Sequence, residues 1–298
     1  MTEVDYEALP ENTPFSVQLA AGALAGITEH IVMHPLDSIK TRMQVLSTNP
    51  QAVYTNMLQA FTRISATEGA MTLWRGAGSV VMGAGPAHAL YFGTYEQTKK
   101  LFNSSGHSHT GIAAAGACSS IVSDAFMNPF DVIKQRMQIH GSQYSNIFIC
   151  AKDLFKREGI TAFYISYPTT LAMTVPFQAI QFTTYEAVSD YLNPNKGYNP
   201  TSHVLAGGLA GAIAAAVTTP LDVTKTLLQT RGSSTDPEIL KTSGMIKAAR
   251  LIYTREGLKG FTRGLAPRVM SHMPSTALCW SAYEYFKWFL KADDTMTM

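Results

Sequence analysis

The chain has 298 residues, of which 46% are hydrophobic and only 15% charged, with 22 glycines and a formal net charge of +2. Soluble domains carry about 25% charged residues, so this composition excludes an ordinary water-facing surface and points to small-residue-rich helices in a membrane. A net charge this small gives no electrostatic case for a nucleic-acid partner.

The first stretch, MTEVDYEALPEN, is acidic and has neither an apolar core nor an Arg-rich amphipathic pattern, so no cleavable targeting signal is expected there. A first apolar segment covers about 15–43 and ends in VMHPLDSIKTRMQ (32–44). Glu29 and His30 interrupt it, and inside a bilayer such groups must face a protein interior or an aqueous cavity. EGAMTLWRG follows from Glu68, and a second apolar segment over about 77–100 contains His88 and closes in YEQTK from Tyr95. The same order then returns. A third segment (110–137) holds Asp124 and ends in NPFDVIKQRMQ (128–138), EGITAFYIS starts at Glu158, and a fourth segment (168–190) with Gln178 reaches YEAVS from Tyr185. A fifth (203–228) opens at His203 and ends in TPLDVTKTLLQ (219–229), EGLKGFTRG starts at Glu256, and a sixth (266–290) reaches YEYFK from Tyr283.

Three ordered signals, each occurring three times, make the chain an internal triplication with repeats at 1–105, 106–199 and 200–298 forming one transport domain. Each apolar segment is long enough to cross about 30 Å of hydrocarbon. Gly22-xxx-Gly26 and Gly207-xxx-Gly211 permit close helix contact, and an amphipathic stretch such as 244–257 fits a short surface helix. All Lys and Arg except Lys99, Lys100, Lys196, Lys287 and Lys291 fall on the side of the loops inside the repeats, which puts both termini on the other side. Cys118, Cys150 and Cys279 are scattered and odd in number, giving neither a disulfide framework nor a zinc cluster.

The three Px[DE]xx[KR] cassettes, each with a Gln nine residues after its proline, resemble the signature of the mitochondrial carrier family across essentially the whole chain. GAGPAHALYFGTYE (83–96), TVPFQAIQFTTYE (174–186), GGLAGAIAAAVTTPLDVTKTLLQT (207–230) and PSTALCWSAYEYFK (274–287) are similar to its mitoferrin branch, inner-membrane carriers of iron. The resemblance implies an all-α integral membrane protein: six transmembrane helices, as three two-helix repeats, in a pseudo-three-fold bundle around a cavity. It also implies short surface helices on the matrix side, a multi-pass place in the mitochondrial inner membrane with termini toward the intermembrane space, bound cardiolipin and a monomer. Import of Fe²⁺ by alternating access between two gates follows from it.

By family analogy the matrix gate pairs Asp37 with Lys134, Asp131 with Lys225 and Asp222 with Lys40, braced by Gln44, Gln138 and Gln229. The physics agrees, since Pro35, Pro129 and Pro220 can kink their helices toward one another and each Asp lies three residues before its Lys, on nearly one face. The cytoplasmic gate comes from Tyr95, Tyr185 and Tyr283 with the pairs Glu186–Lys287 and Glu284–Lys99. Glu96 is left facing Ser189 instead of a base, so this outer gate is expected to be the weaker one. Two further departures stand out. The middle repeat reads Tyr164-Ile165-Ser166 where the others have Trp74-Arg75-Gly76 and Thr262-Arg263-Gly264, which puts a cardiolipin site there in doubt, and Leu227 replaces the arginine of Arg42 and Arg136.

An asymmetric substrate must be read by residues that break the repeat. Aligned on Tyr95, Tyr185 and Tyr283, Ala84, Thr174 and His272 stand eleven residues earlier, and His88, Gln178 and Thr276 seven earlier. Both offsets return to within about 20° of the tyrosine. Gly83, Met173 and Ser271 sit one position further back, near substrate by family analogy. Anion carriers need cavity Arg or Lys, and here Arg268 stands alone near the inner end. Imidazole, carboxylate and thioether suit a transition metal, Fe²⁺ above all, with Cu⁺, Mn²⁺ or a small organic solute as alternatives. The candidate ligands are His34, His88, Met173, His272, Met33, Gln178, Asp124 and His203. His34 can instead satisfy a carbonyl freed by Pro35, His203 can be a helix cap or an entry ligand, and the methionines individually read as packing residues. No enzyme motif such as HExxH or a phosphate loop stands out, no resident cofactor is expected, and the metal is expected as cargo. Coordination needs neutral imidazole, so transport is expected to fall as pH drops through ~6.5.

Overall fold

Long runs of small and apolar residues favour helix, and all regular secondary structure among the described residues is helical. The computed structural model describes residues 15–46, 54, 56–103, 109–194, 200–272, 274, 275, 277 and 278. The first repeat contains α1 (Phe15–Gln44), α2 (Met57–Thr67) and α3 (Ala77–Asn103). The second contains α4 (His109–Gln138), α5 (Ile147–Glu158), the single turn α6 (Thr161–Tyr164) and α7 (Tyr167–Leu192). The third contains α8 (Pro200–Thr230), the short α9 (Pro237–Lys241) and α10 (Met245–Glu256), and helical backbone resumes over 265–272. Among the described residues, the α8 region is the one helix that length and composition alone mark as able to cross a membrane.

The helices between the long ones are set by local chemistry. Asn56, Asn146 and Asp236 cap α2, α5 and α9, their side chains accepting from Gln59 N, Phe148 N and Glu238 N. Gly159 and Gly257, at φ 76° and 63°, end α5 and α10. The expected amphipathic stretch at 244–257 is α10, and the same short helix recurs in every repeat. Each lays one apolar face on its own cassette helix. Ala60 and Ile64 meet Ile39 and Leu73; Cys150 and Leu154 meet Val132, Ile133 and Met137; Ala248, Leu251 and Ile252 meet Val223 and Leu227. The opposite faces expose large apolar side chains, including Leu58, Phe61, Phe148, Phe155, Ile246 and Tyr253.

Between repeats, α3 packs along α4 and α7 along α8, while α1, α4 and α8 meet one another in all three pairings. Pro35, Pro129 and Pro220 lie inside these helices, as Pro86 and Pro176 lie inside α3 and α7. Proline cannot bond the carbonyl four residues earlier. At Pro35 that carbonyl is Ile31 O, and Trp74 Nε1 donates to it at 3.0 Å. The turn into α3 needs glycine, because Gly76 has φ 89° and a Cβ there would stand 3.1 Å from Lys134 O. Gly264 repeats this with φ 68°, its Cβ position 2.7 Å from Gln44 Cγ. In the middle repeat Ser166 has φ −88° and bonds Asn128 instead, so that turn differs in geometry as well as in sequence.

Candidate functional site

An Asp and a Lys three residues apart on a helix project to nearly one side, and where three such helices meet each can pair with its neighbour. Lys134 Nζ lies 2.7 Å from Asp37, Lys225 Nζ 3.1 Å from Asp131, and Lys40 Nζ 2.9 Å from Asp222. The ring is therefore cyclic, each acid held by the lysine of the next repeat. Its glutamines are used unequally. Gln44 Nε2 donates to Asp222 at 2.6 Å, and Gln138 Oε1 accepts from Thr41 at 2.8 Å. Gln229 is buried with no partner for either amide atom among the described residues. Asp222 also receives Arg268 Nη1 at 2.5 Å, and the second arm of Arg268 donates to Thr218 at 2.9 Å. Asp222 is only 8% exposed, whereas Asp37 and Asp131 are 33% and 28% exposed. The Asp222 cluster thus tolerates least the loss of a partner.

Beyond the ring lies a layer of arginine clasps. Arg42 donates to Gln138 O at 2.7 Å and takes both oxygens of Glu68 at 2.6 and 2.9 Å. Arg136 repeats this on Gln229 O at 2.6 Å and on Glu158 at 2.8 and 3.0 Å. In the third repeat Leu227 stands in place of the arginine, and Arg263 replaces its contacts from another direction, pairing with Glu256 at 2.5 Å and donating to Val45 O at 3.1 Å. His140 adds a second contact to Glu68 at 2.6 Å. Burial raises the Glu68 carboxyl, but Arg42 and His140 more than offset this and hold it below the usual glutamate range. Burial pushes the Cys150 thiol up to about 12, so Cys150 is a packing residue and not a nucleophile.

The candidate ligands occupy different environments. His34 is buried, its Nε2 donating to Arg75 O at 3.0 Å with Gln138 Nε2 also 3.2 Å away. The matching Asn128 reaches Phe163 O in the same way, so this position ties each of these two helices to the turn that follows. Met33 is buried. Met173 rests its sulfur on the Arg268 guanidinium at 3.8 and 3.9 Å, and Met127 covers Gly83. His88 is exposed on α3, close enough to His30 of α1 for their charges to interact, and Gln178 is exposed on α7. His272 lies against Gly211 and against the Phe177 ring, 5.8 Å between centroids, within electrostatic reach of Lys40, Asp37, Asp222 and Arg268. Asp124 has one buried oxygen, Oδ2, without a partner among the described residues. Glu29 accepts from Ser275.

Toward the other end, Tyr185 OH and His203 Nδ1 share a 2.6 Å hydrogen bond and their rings stack 6.3 Å apart, while Tyr91 and Tyr95 stack at 6.4 Å. Glu186 is exposed. The side chains of Glu96 and Lys99, and Thr276, Tyr283, Glu284 and Lys287 entirely, lie outside the described residues. The sequence pattern did not single out the structural roles of Arg268, Glu68 or His140. For Glu68 and Glu158 the signal was present, because each opens an Glu-Gly motif in step with the arginine it meets.

A triplicated helical chain whose three cassettes close into one ring of ion pairs has the build of a membrane solute carrier. The family model described as mitochondrial carrier protein matches residues 11–106, 107–196 and 196–294, and the chain belongs to that family. It is similar to human mitoferrin-1, with 48% identity covering 96% of this chain and 87% of that protein. It is also similar to an uncharacterised mitochondrial carrier of Schizosaccharomyces pombe, at 52% identity over 95% of this chain and 93% of that one. The mitochondrial RNA-splicing protein MRS3 of Saccharomyces cerevisiae is 50% identical, over 96% of this chain and 92% of its own length.

Proposed function

We propose that this protein is an iron carrier of the mitochondrial inner membrane that imports Fe²⁺ into the matrix by alternating access. The observation that carries the reading is near-full-length identity of 46–48% to mitoferrins from human and zebrafish. The site supports it. Imidazole and carboxylate groups, each present in one repeat only, lie above the ion-pair ring, and Arg268, the nearest cation that is not part of a repeated pair, is occupied by Asp222. Hard and borderline donors of this kind suit Fe²⁺. The thioethers that would favour Cu⁺ are otherwise engaged, Met33 by burial, Met127 by Gly83 and Met173 by Arg268.

In this reading the chain acts as a carrier and not as an enzyme, holds no resident cofactor, and folds as six spanning helices in three repeats with pseudo-three-fold symmetry. Asp37, Lys40, Asp131, Lys134, Asp222 and Lys225, with their glutamines, form the matrix gate, which is closed when the ring is formed. Tyr95, Tyr185, Tyr283 and the acid–base pairs beside them form the gate toward the intermembrane space, where both termini lie. His88, His272, Asp124, Gln178 and His203 offer the ion successive ligands, with His34 and Met33 freed only when the ring parts. The exposed apolar faces of α2, α5 and α10 lie at the matrix surface of a cardiolipin-containing bilayer, around a monomer.

The test is metal uptake into proteoliposomes holding the purified carrier, comparing Fe²⁺, Cu⁺, Mn²⁺ and Zn²⁺, with His88→Ala as control. Fe²⁺ should enter fastest, and at low metal concentration the variant should take it up about tenfold more slowly. Faster entry of Cu⁺, or movement of an organic solute with no metal moving, overturns the assignment.

A further inference from the structure

Six residues after each cassette proline stand Thr41, Gln135 and Thr226. This position meets the cassette glutamine of the next repeat. Thr41 Oγ1 donates to Gln138 Oε1 at 2.8 Å, and Thr226 Oγ1 donates to Gln44 Oε1 at 3.0 Å. Between α4 and α8 that donor is missing, because glutamine occupies position 135. Gln229 is buried with Oε1 and Nε2 both unpartnered among the described residues, and Oε1 of Gln135 is likewise unpartnered. The ion pair of this seam is also the longest of the three, at 3.1 Å against 2.7 and 2.9 Å. Asp131 is met by Lys225 alone among the described residues, where Asp222 has Lys40, Gln44 and Arg268.

A buried amide without a partner raises the free energy of the closed state, and the cost disappears once water reaches it. The closed ring is therefore least stable along one seam of three. We propose that the ring parts first between α4 and α8, that Gln135 and Gln229 set the rate of that step, and that the cation leaves past Asp131. The inference rests on the alternating-access reading and adds a direction to it. Asp124 precedes Asp131 by seven residues, hence on the same face of α4, and its unpartnered Oδ2 puts an oxygen ligand just above the seam. Asp222, held by Arg268 as well as Lys40, is not free to take the ion.

Gln135→Thr restores the hydroxyl donor that the other two seams already have. The purified variant should melt about 2–4 °C higher, and its maximal uptake rate in proteoliposomes should fall about three- to tenfold with KM within twofold of the parent. Thr226→Gln, which removes a partner from Gln44, should lower the melting temperature. Gln135→Ser supplies the same hydroxyl on a smaller side chain and must shift both quantities in the direction of Gln135→Thr, which decides the matter if the threonine variant does not fold. An unchanged or lower melting temperature for both position-135 variants, or a faster maximal rate, overturns the proposal. Melting is read without metal, so an error in the iron assignment would abolish uptake by parent and variants alike and leave the melting shift in place.

Discussion

The cassette layer and the layer one to three turns above it are built on opposite rules. In the cassette layer the residues recur and are almost all paired: three acids, three lysines and the arginine clasps close one repeat on the next. In the layer above, His30, His88, Asp124 and His272 each occur in one repeat only, and His88 and Gln178 are exposed. Repetition serves the moving parts, which must close each repeat on the next around a ring. Recognition of a single ion needs the departures. The third repeat makes the same point inside the cassette layer, where the arginine is lost at Leu227 and its contacts are kept by Arg263.

The largest way to break this contrast is Asp222→Asn. It leaves Lys40 and Arg268 buried without a countercharge, which costs about 3–5 kcal/mol, and folded carrier should be lost, as read by the absence of a cooperative melt. Asp131→Asn, at a more exposed pair, should leave a melt that is lowered but present. Next in size is Arg42→Ala, which leaves Glu68 with His140, strands Gln138 O and should cost about 1–3 kcal/mol in thermal stability. Arg263→Ala should match it, and a silent Arg263→Ala would show that the third seam is held differently. His88→Ala should leave the melting temperature unmoved while uptake at low metal concentration falls about tenfold.

The smallest expected effect is a pH dependence. Glu68 is held below its ordinary value of 4.5, so the stability it contributes is fully present above that value. It is lost as pH falls through the lower folded-state value. Thermal melts between pH 7 and 3 should show this acid limb, and Glu68→Gln should flatten it.

Much of the ring was legible because proline, acid, base and glutamine recur at fixed offsets, and three identical offsets leave few ways to close a ring. The short helices were legible at α10 through its amphipathic period, while the turn α6 and helix α9 were not, being five residues or fewer. His34 marks another limit. Sequence could not choose between a ligand and a structural bond, since both ask for a polar side chain next to Pro35. In the fold its Nε2 donates to Arg75 O. The roles of Arg268 and Arg263 were equally hidden, because each reaches a partner from a helix or turn far away in the chain, and the Arg268–Asp222 contact has no counterpart in the other repeats among the described residues.

The contrast between repeated and unrepeated residues is tested most directly by initial-rate Fe²⁺ uptake over a range of concentrations, comparing His88→Ala with Gln44→Ala. His88→Ala should raise KM with little change in maximal rate, and Gln44→Ala, which takes a brace from Asp222, should alter the maximal rate with KM unmoved. The reverse pattern, or the same pattern for both variants, would contradict it.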